Sequence, residues 1–376
     1  MRPHSTRWLV PVACAVAAVC ALSADSPAPA EAAKQWPLWD GREPVERYAR
    51  RVGLPPTRTL DLGGGVTMDF VLIPAGQFVM GTPDAVEPEE IFTVGQVLSV
   101  FAGGAALGLV IIIVLRSIHK RRRPQFSLGW LLVFVLMLGA ALYGVIRCWQ
   151  TEKAWRRYLA QSGSAPWFDR PSHLVTLTRP FYMGKYEVTQ EQYEQVMQAN
   201  PSQLKGRDNP VESVTWDDAT AFCGKASARE QFSDATLQSA GLRHTVRLPT
   251  EAEWEFAARA GTTTLYHSGD TEADLARVAW YGGNSGGRVH PVGQKEPNAF
   301  GLYDMDGNVC EWCQDLYGRY SSAASSDPSG PTEGDDRVLR GGSWRGIPAG
   351  CRSANRGGYD PGLRQFVVGF RVVLDF

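Results

Sequence analysis

The chain has 376 residues, a length that suits two ordinary domains or one large domain with additions. Its 38 basic and 39 acidic residues leave a formal net charge of −1, so no long-range attraction to phosphate favours a nucleic-acid partner. Charged residues make up only 20% of the chain, and none falls in Ile91–Leu115 or Phe126–Ile146, which argues against a plain cytosolic enzyme.

At the N-terminus, Arg2 and Arg7 precede the apolar stretch Trp8–Leu22, and small residues follow as far as Ala32. This order is that of a secretory signal peptide, so residues 1–32 read as a signal peptide or an uncleaved anchor. Residues 33–57, with Pro37, Pro44, Pro55 and Pro56, read as a linker. Residues 58–90 begin a globular pattern. Leu60 and Leu62 alternate with polar residues, Gly63-Gly64-Gly65 makes a turn, and Phe70–Gly81 reads as two short strands joined at Pro74-Ala75-Gly76. The two uncharged stretches that follow each reach the ~20 residues that cross a bilayer. The link between them, residues 116–125, carries Arg116, Lys120, Arg121, Arg122 and Arg123 and is expected to stay in the cytoplasm. Residues 91–147 therefore read as a two-helix transmembrane hairpin, which makes the membrane a partner and places the globular part outside the cytoplasm. Residues 148–164 are a second linker.

The globular pattern resumes at 165 and runs to 376. Thr189 with Gln192 and Thr250 with Glu253 have capping-box spacing, and Thr215 with Asp218 resembles a helix start. Apolar residues follow each start at helical spacing, placing Cys223 on an inward face, and Gly261 stops the third helix. From Thr262 onward the chain is loop-rich, with short strand-like pieces at Val338-Leu339, Phe366–Phe370 and Arg371–Leu374. Three helices beside short, irregular strands predict an α+β domain with little regular secondary structure. His173, His244, His267 and His290 are too scattered for a zinc site. Of seven cysteines, Cys223, Cys310, Cys313 and Cys351 belong to this globular part, and four cysteines allow three complete pairings.

Several blocks in this order carry a family resemblance: Ile73-Pro74-Ala75-Gly76 with Met80-Gly81; Phe181-Tyr182-Met183-Gly184 with Glu187-Val188-Thr189; and Arg247-Leu248-Pro249-Thr250-Glu251-Ala252-Glu253-Trp254-Glu255. Gly301-Leu302-Tyr303-Asp304-Met305-Asp306-Gly307-Asn308-Val309, Arg340-Gly341-Gly342-Ser343-Trp344 and Gly369-Phe370-Arg371 complete the set. The sequence resembles the formylglycine-generating enzyme (sulfatase-modifying factor) family over residues 58–90 and 165–376. The resemblance implies a C-type-lectin-like α+β fold, here interrupted by the transmembrane hairpin. It also implies an oxidase that converts a substrate cysteine with copper held by two cysteines, in the pattern Gly-Gly-Ser-(Tyr/Phe)-x-Cys-x4-Cys. In this chain Gly346 stands at the first cysteine position, and Cys351 meets the second only when no gap is allowed. Counted back from Arg356, the loop is three residues shorter than the family's. One thiolate and a glycine cannot build a two-sulfur site, so copper is not expected.

Further expectations rest on the same resemblance. The family has Trp where Cys310 stands, which leaves Cys310 in the ligand pocket with Trp344, Asn355 and Arg356. Cys310-Glu311-Trp312-Cys313 could be read as a redox pair. The alternative is a Cys313–Cys351 disulfide, because the family fold brings both segments to one pocket. A calcium site maps onto the side chains of Asp304 and Glu311 and the carbonyls of Gly307 and Val309, a hard oxygen set that suits Ca²⁺. Two functions are then open. One is a membrane-anchored binding or scaffolding module without oxidase chemistry. The other is a formylglycine-generating oxidase acting on a sulfatase or another secreted protein or peptide, with Ser343 contacting substrate and Cys351 as the remaining active-site thiol.

Overall fold

The computed structural model describes residues 35–82, 169–229 and 245–375. The leader at 1–32, the linker at 148–164 and the hairpin expected at 91–147 lie outside the described residues.

The first described element is a helix where a linker was expected. Helix α1 (Val45–Val52) ends at Gly53, which takes a left-handed C-cap with φ 73°. Its buried residues are Val45, Tyr48 and Ala49, at the i, i+3, i+4 spacing of a single helical face. The Tyr48 hydroxyl accepts the Ala75 N–H at 3.1 Å, so the helix is pinned to the strand connection beneath it. Two turns flanked by prolines and charges carry too short a period to be legible in sequence.

Strands β1 (Thr57–Gly63) and β2 (Val66–Ile73) form the expected hairpin, with positive φ at Gly63, Gly64 and Gly65. They continue into an antiparallel five-stranded sheet ordered β1-β2-β5-β12-β6, where β5 is Phe181–Gly184, β12 is Val373–Asp375 and β6 is Thr245–Arg247. One sheet thus takes strands from the start, middle and end of the described chain. A three-stranded sheet joins β3 (Gly76–Met80), β4 (His173–Leu177) and β8 (Ser325–Ser326). A four-stranded sheet runs β10 (Arg356–Tyr359), β9 (Arg337–Arg340), β7 (Cys310–Leu316), β11 (Val368–Gly369).

The three expected helices are present as α2 (Gln190–Met197), α3 (Trp216–Arg229) and α4 (Glu251–Arg259). Both capping boxes close reciprocally, Thr189 with Gln192 and Thr250 with Glu253. A further helix, α5 (Glu272–Val278), starts from a third box, Thr271 with Asp274, but buries only Leu275 and Val278. Two apolar residues are too few to establish a period, so this helix was not expected. The architecture is a mixed α and β fold of small curled sheets.

The membrane expectations are corrected. No helix among the described residues is long and apolar enough to cross a membrane. The longest of them, α3, has 14 residues, about 21 Å at 1.5 Å per residue, against the ~30 Å of hydrocarbon to be spanned. The transmembrane hairpin, the membrane partner and the topology built on them are therefore withdrawn.

Helix α4 docks through charge as well as apolar surface. Glu255, fully buried, pairs with Arg259 at 2.9 Å and with Arg340, and accepts the Gly81 N–H at 2.9 Å. Glu251 forms a bidentate pair with Arg356 at 2.6 Å for each bond and accepts the Tyr320 hydroxyl at 2.9 Å. Removing one member strands buried charges that have no water to turn to. Glu255→Ala should lower stability by ~3–5 kcal/mol, read as a denaturant midpoint. Arg277→Ala breaks a pair whose side chains are 49% and 60% exposed and should change stability by less than ~1 kcal/mol.

Candidate functional site

Between β9 and β10 the chain makes an excursion from Gly341 to Asn355. Gly341 and Gly342 both have positive φ, 89° and 75°, so the strand turns away from the sheet at once. A Cβ at Gly342 would lie 2.7 Å from the Gly350 oxygen and 2.8 Å from the Cys351 sulfur, so only glycine fits. Neighbouring segments hold the loop. The Gly307 N–H donates to the Gly341 carbonyl at 2.7 Å, the Trp344 N–H donates to Asn308 at 2.7 Å, and the Ser285 hydroxyl donates to the Trp344 carbonyl at 2.7 Å. The indole of Trp344 packs at 5.6 Å on Phe366.

Against this loop lies a cavity of about 570 Å³. Ser343, Arg345 and Gly346 line one side, and Gln203, Arg364, Gln365, Phe366 and Val367 line the other. Arg364 is partly committed, pairing with Asp218 at 2.7 Å, whereas Arg345 is exposed and lies over the Phe366 ring. The cavity therefore offers a hydroxyl, amides and a cation around an apolar wall, the composition of a recognition site.

Cys310 sits beneath Ser343. Its N–H donates to the Val367 carbonyl at 2.8 Å, and the Ser343 side chain and the Gly342 backbone are near enough to its sulfur to act on the thiol. Burial, reinforced by Glu311, pushes its thiol up to about 12. Cys351 is fully buried beside Tyr266, Leu275 and Tyr281. Burial and then Asp306 raise its pKa well above the ordinary thiol value. Both sulfurs are protonated at neutral pH and are poor nucleophiles.

Other expected residues are placed elsewhere. The Cys313–Cys351 disulfide is not formed: both are free thiols, Cys313 in the main core and Cys351 in the smaller cluster under α5. Arg356 stacks on Tyr317 and Tyr320 while it binds Glu251, and Asn355 donates from its side chain to the Gly350 carbonyl at 2.9 Å. Both brace the loop and neither lines the cavity. Sequence reasoning missed Gln203, Arg345, Arg364 and Phe366. Only Arg345, beside Gly-Gly-Ser-Trp, had a local signal.

The residues expected to hold calcium are close together but already engaged. Both oxygens of Glu311 receive Arg371 at 2.6 Å, and Oε2 also receives the Trp254 indole N–H at 2.6 Å. The Gly293 N–H donates to Asp304 Oδ2 at 2.7 Å, while Oδ1 is buried without a hydrogen-bond partner. Glu187 accepts from Asn308 and Val309, and burial, followed by Asp304 and Glu311, raises its pKa well above the carboxylate range.

Asp306 was read only as part of a motif, yet it is a strongly perturbed acid. It is fully buried, Oδ1 has no partner, and Oδ2 receives only a long 3.4 Å bond from the His267 N–H. Burial pushes its pKa up to about 8, the His267 N–H and Arg259 only partly opposing the shift. Burial pushes His267 down to about 4, so that imidazole stays neutral at physiological pH. A raised carboxylate pKa contributes stability that is fully present below its unfolded value and is lost as pH rises through the folded one. Between about pH 6.5 and 8, above the range in which His267 titrates, the melting temperature should fall, and Asp306→Asn should make that slope shallower. Parallel profiles for the two proteins would contradict the assignment.

Residues 153–376 match the family described as the sulfatase-modifying factor enzyme 1-like domain. The chaperone protein LppX of Paenibacillus barcinonensis is 37% identical over 210 residues, covering 45% of this chain and 71% of that protein. The formylglycine-generating enzyme of Streptomyces coelicolor is 36% identical over 192 residues, covering 46% of this chain and only 55% of that protein. Among solved structures, Treponema denticola variable protein 1 is 27% identical with a TM-score of 0.56, covering 85% of this chain and 99% of that one.

Proposed function

The chain belongs to the sulfatase-modifying factor enzyme 1-like family, and on that premise we propose that it is a polypeptide-binding module without copper-dependent oxidase chemistry. One observation carries the reading: the loop position that should supply a copper thiolate is a glycine committed to the turn. The Gly346 N–H donates to the Ser343 carbonyl at 2.8 Å and its carbonyl accepts the Gly282 N–H at 2.8 Å. A side chain there would meet the Ser343 oxygen at 3.2 Å. Cys351 is sunk in an apolar cluster and does not line the cavity. Copper does not fit this donor set.

What the cavity retains is recognition chemistry. Phe366 and Val367 give an apolar wall, while Ser343, Gln203 and Arg345 can hydrogen-bond to backbone carbonyls or a carboxylate. A volume near 570 Å³ holds a few side chains of an extended segment. The relative named as a chaperone supports a polypeptide ligand, since the match spans most of that protein.

Given copper, oxygen and a cysteine peptide of the sulfatase type, the purified chain should yield no aldehyde by mass spectrometry. Conversion of that peptide would overturn the proposal and restore the oxidase. Gly346→Cys alone should not confer turnover, because the shorter loop still buries Cys351. With an alkylated, unfolded protein as the probe, Arg345→Ala and Phe366→Ala should each weaken capture about tenfold, or ~1.4 kcal/mol.

Calcium is proposed as an accessory ion at Asp304. Supporting it are the unpartnered Oδ1 and a surplus of carboxylates, Glu187, Asp304 and Glu311 around Arg371, with Lys295 also acting on Asp304. Glu311 fits less well, being held by Arg371. A hundredfold excess of calcium over its Kd would add ~2.7 kcal/mol. The melting temperature should rise with calcium after chelation and fail to rise in Asp304→Ala; no rise in the wild type rules the ion out.

A further inference from the structure

Charge around the cavity is one-sided. Among the described residues its charged lining consists of Arg345 on the loop wall and Arg364 on the opposite wall, with no acid between them. Two carboxylates lie behind that lining, and both are committed. Asp218 pairs with Arg364 at 2.7 Å. Glu212, fully buried, accepts the Gln203 N–H, the Leu204 N–H at 2.7 Å and the Ser213 hydroxyl at 2.7 Å. Neither pairs with Arg345, which makes no ion pair among the described residues.

The two cations therefore differ. Arg364 is anchored through Nη1, on Asp218 and on the Ser213 carbonyl at 3.0 Å. Arg345 is exposed, and its guanidinium lies 5.5 Å from the centroid of the Phe366 ring. A guanidinium over a ring keeps its N–H edge available to both oxygens of a carboxylate. The ring is itself held in place: the Trp344 indole N–H donates to the Phe366 carbonyl at 3.3 Å, and the two rings pack at 5.6 Å. Ile347, which follows Gly346 in the loop, is 62% exposed. An apolar surface edged by a cation without a carboxylate complements a ligand that is apolar and anionic at once.

We propose that the cavity, read as a polypeptide site, selects extended segments in which acidic side chains stand beside apolar ones, and that Arg345 sets this preference. The preference rests on that reading and adds the chemistry of the segment. Neighbouring side chains of an extended chain project to opposite sides. An apolar residue can thus lie on Phe366 and Val367 while its acidic neighbour turns to Arg345 on the facing wall. Arg364, already paired, adds less. A basic segment meets two like charges and is disfavoured.

The test is calorimetric titration of the full chain with acetylated, amidated peptides in which Leu alternates with Glu, with Gln or with Lys. The Glu peptide should bind about tenfold tighter than the Gln peptide, with the Lys peptide weakest, and added salt should narrow the gap. Arg345→Gln should erase most of the preference for Glu over Gln. Arg345→Glu should place the Lys peptide above the Glu peptide, a gain of binding that a misfolded variant cannot give. Equal affinity of the wild type for all three peptides would overturn the preference and leave the polypeptide site standing, whereas binding of none would remove both. A Gln peptide with a free C-terminal carboxylate that binds as tightly as the Glu peptide would assign Arg345 to chain ends and overturn the proposal as well.

Discussion

Two buried carboxylates one helical turn apart organise the rest of this structure. Glu251 and Glu255 project from α4 and receive Arg340 and Arg356, the residues that stand immediately before Gly341 and immediately after Asn355. Both ends of the cavity loop are therefore fixed on the same helix. The cost of desolvating these charges is offset only when every partner is present, and additional donors complete the set: Arg259, the Gly81 N–H and the Tyr320 hydroxyl. Arg356 also lies 4.1 Å from the Tyr320 ring centroid and 4.4 Å from that of Tyr317, which further restricts it. The block Thr-Glu-Ala-Glu-Trp-Glu is thus a loop anchor first, and its relation to the site is indirect.

Anchoring the ends leaves the interior of the loop free to vary. Nothing in the Glu251/Glu255 network depends on what stands at position 346, so a glycine there is compatible with the anchored loop. Loop length matters more. A short excursion from two left-handed glycines folds back quickly, and Cys351 is carried under α5 and away from the cavity. Fold and chemistry separate at this point, which is why membership of this family is compatible with a loop that carries one cysteine rather than two.

Legibility in the sequence followed the range of the interaction. Capping at Thr189, Thr215 and Thr250 is decided within a few residues, and all three helices were readable. The glycine turn at 63–65 was equally local. Helices α1 and α5 were missed because each buries only two or three residues, so tertiary docking fixes them more than periodicity does. The cavity wall was harder still: Gln203 and Phe366 come from irregular segments with no period, and they meet Ser343 only through the fold. Asn355 and Arg356 looked like pocket residues from their proximity to the motif, yet Arg356 is turned inward by its carboxylate partner.

Strand β7 shows the same division at the scale of single side chains. Glu311 and Asp315 face α4, one taking Arg371 and the Trp254 indole, the other accepting the Glu251 N–H at 2.9 Å. Cys313 shares that face and is inert in the core. Cys310 and Trp312 occupy the opposite face, where Trp312 donates to the Val214 carbonyl at 3.0 Å and Cys310 reaches the cavity loop. Exchanging an indole for a thiol at 310 therefore leaves every ionic contact of the α4 face in place.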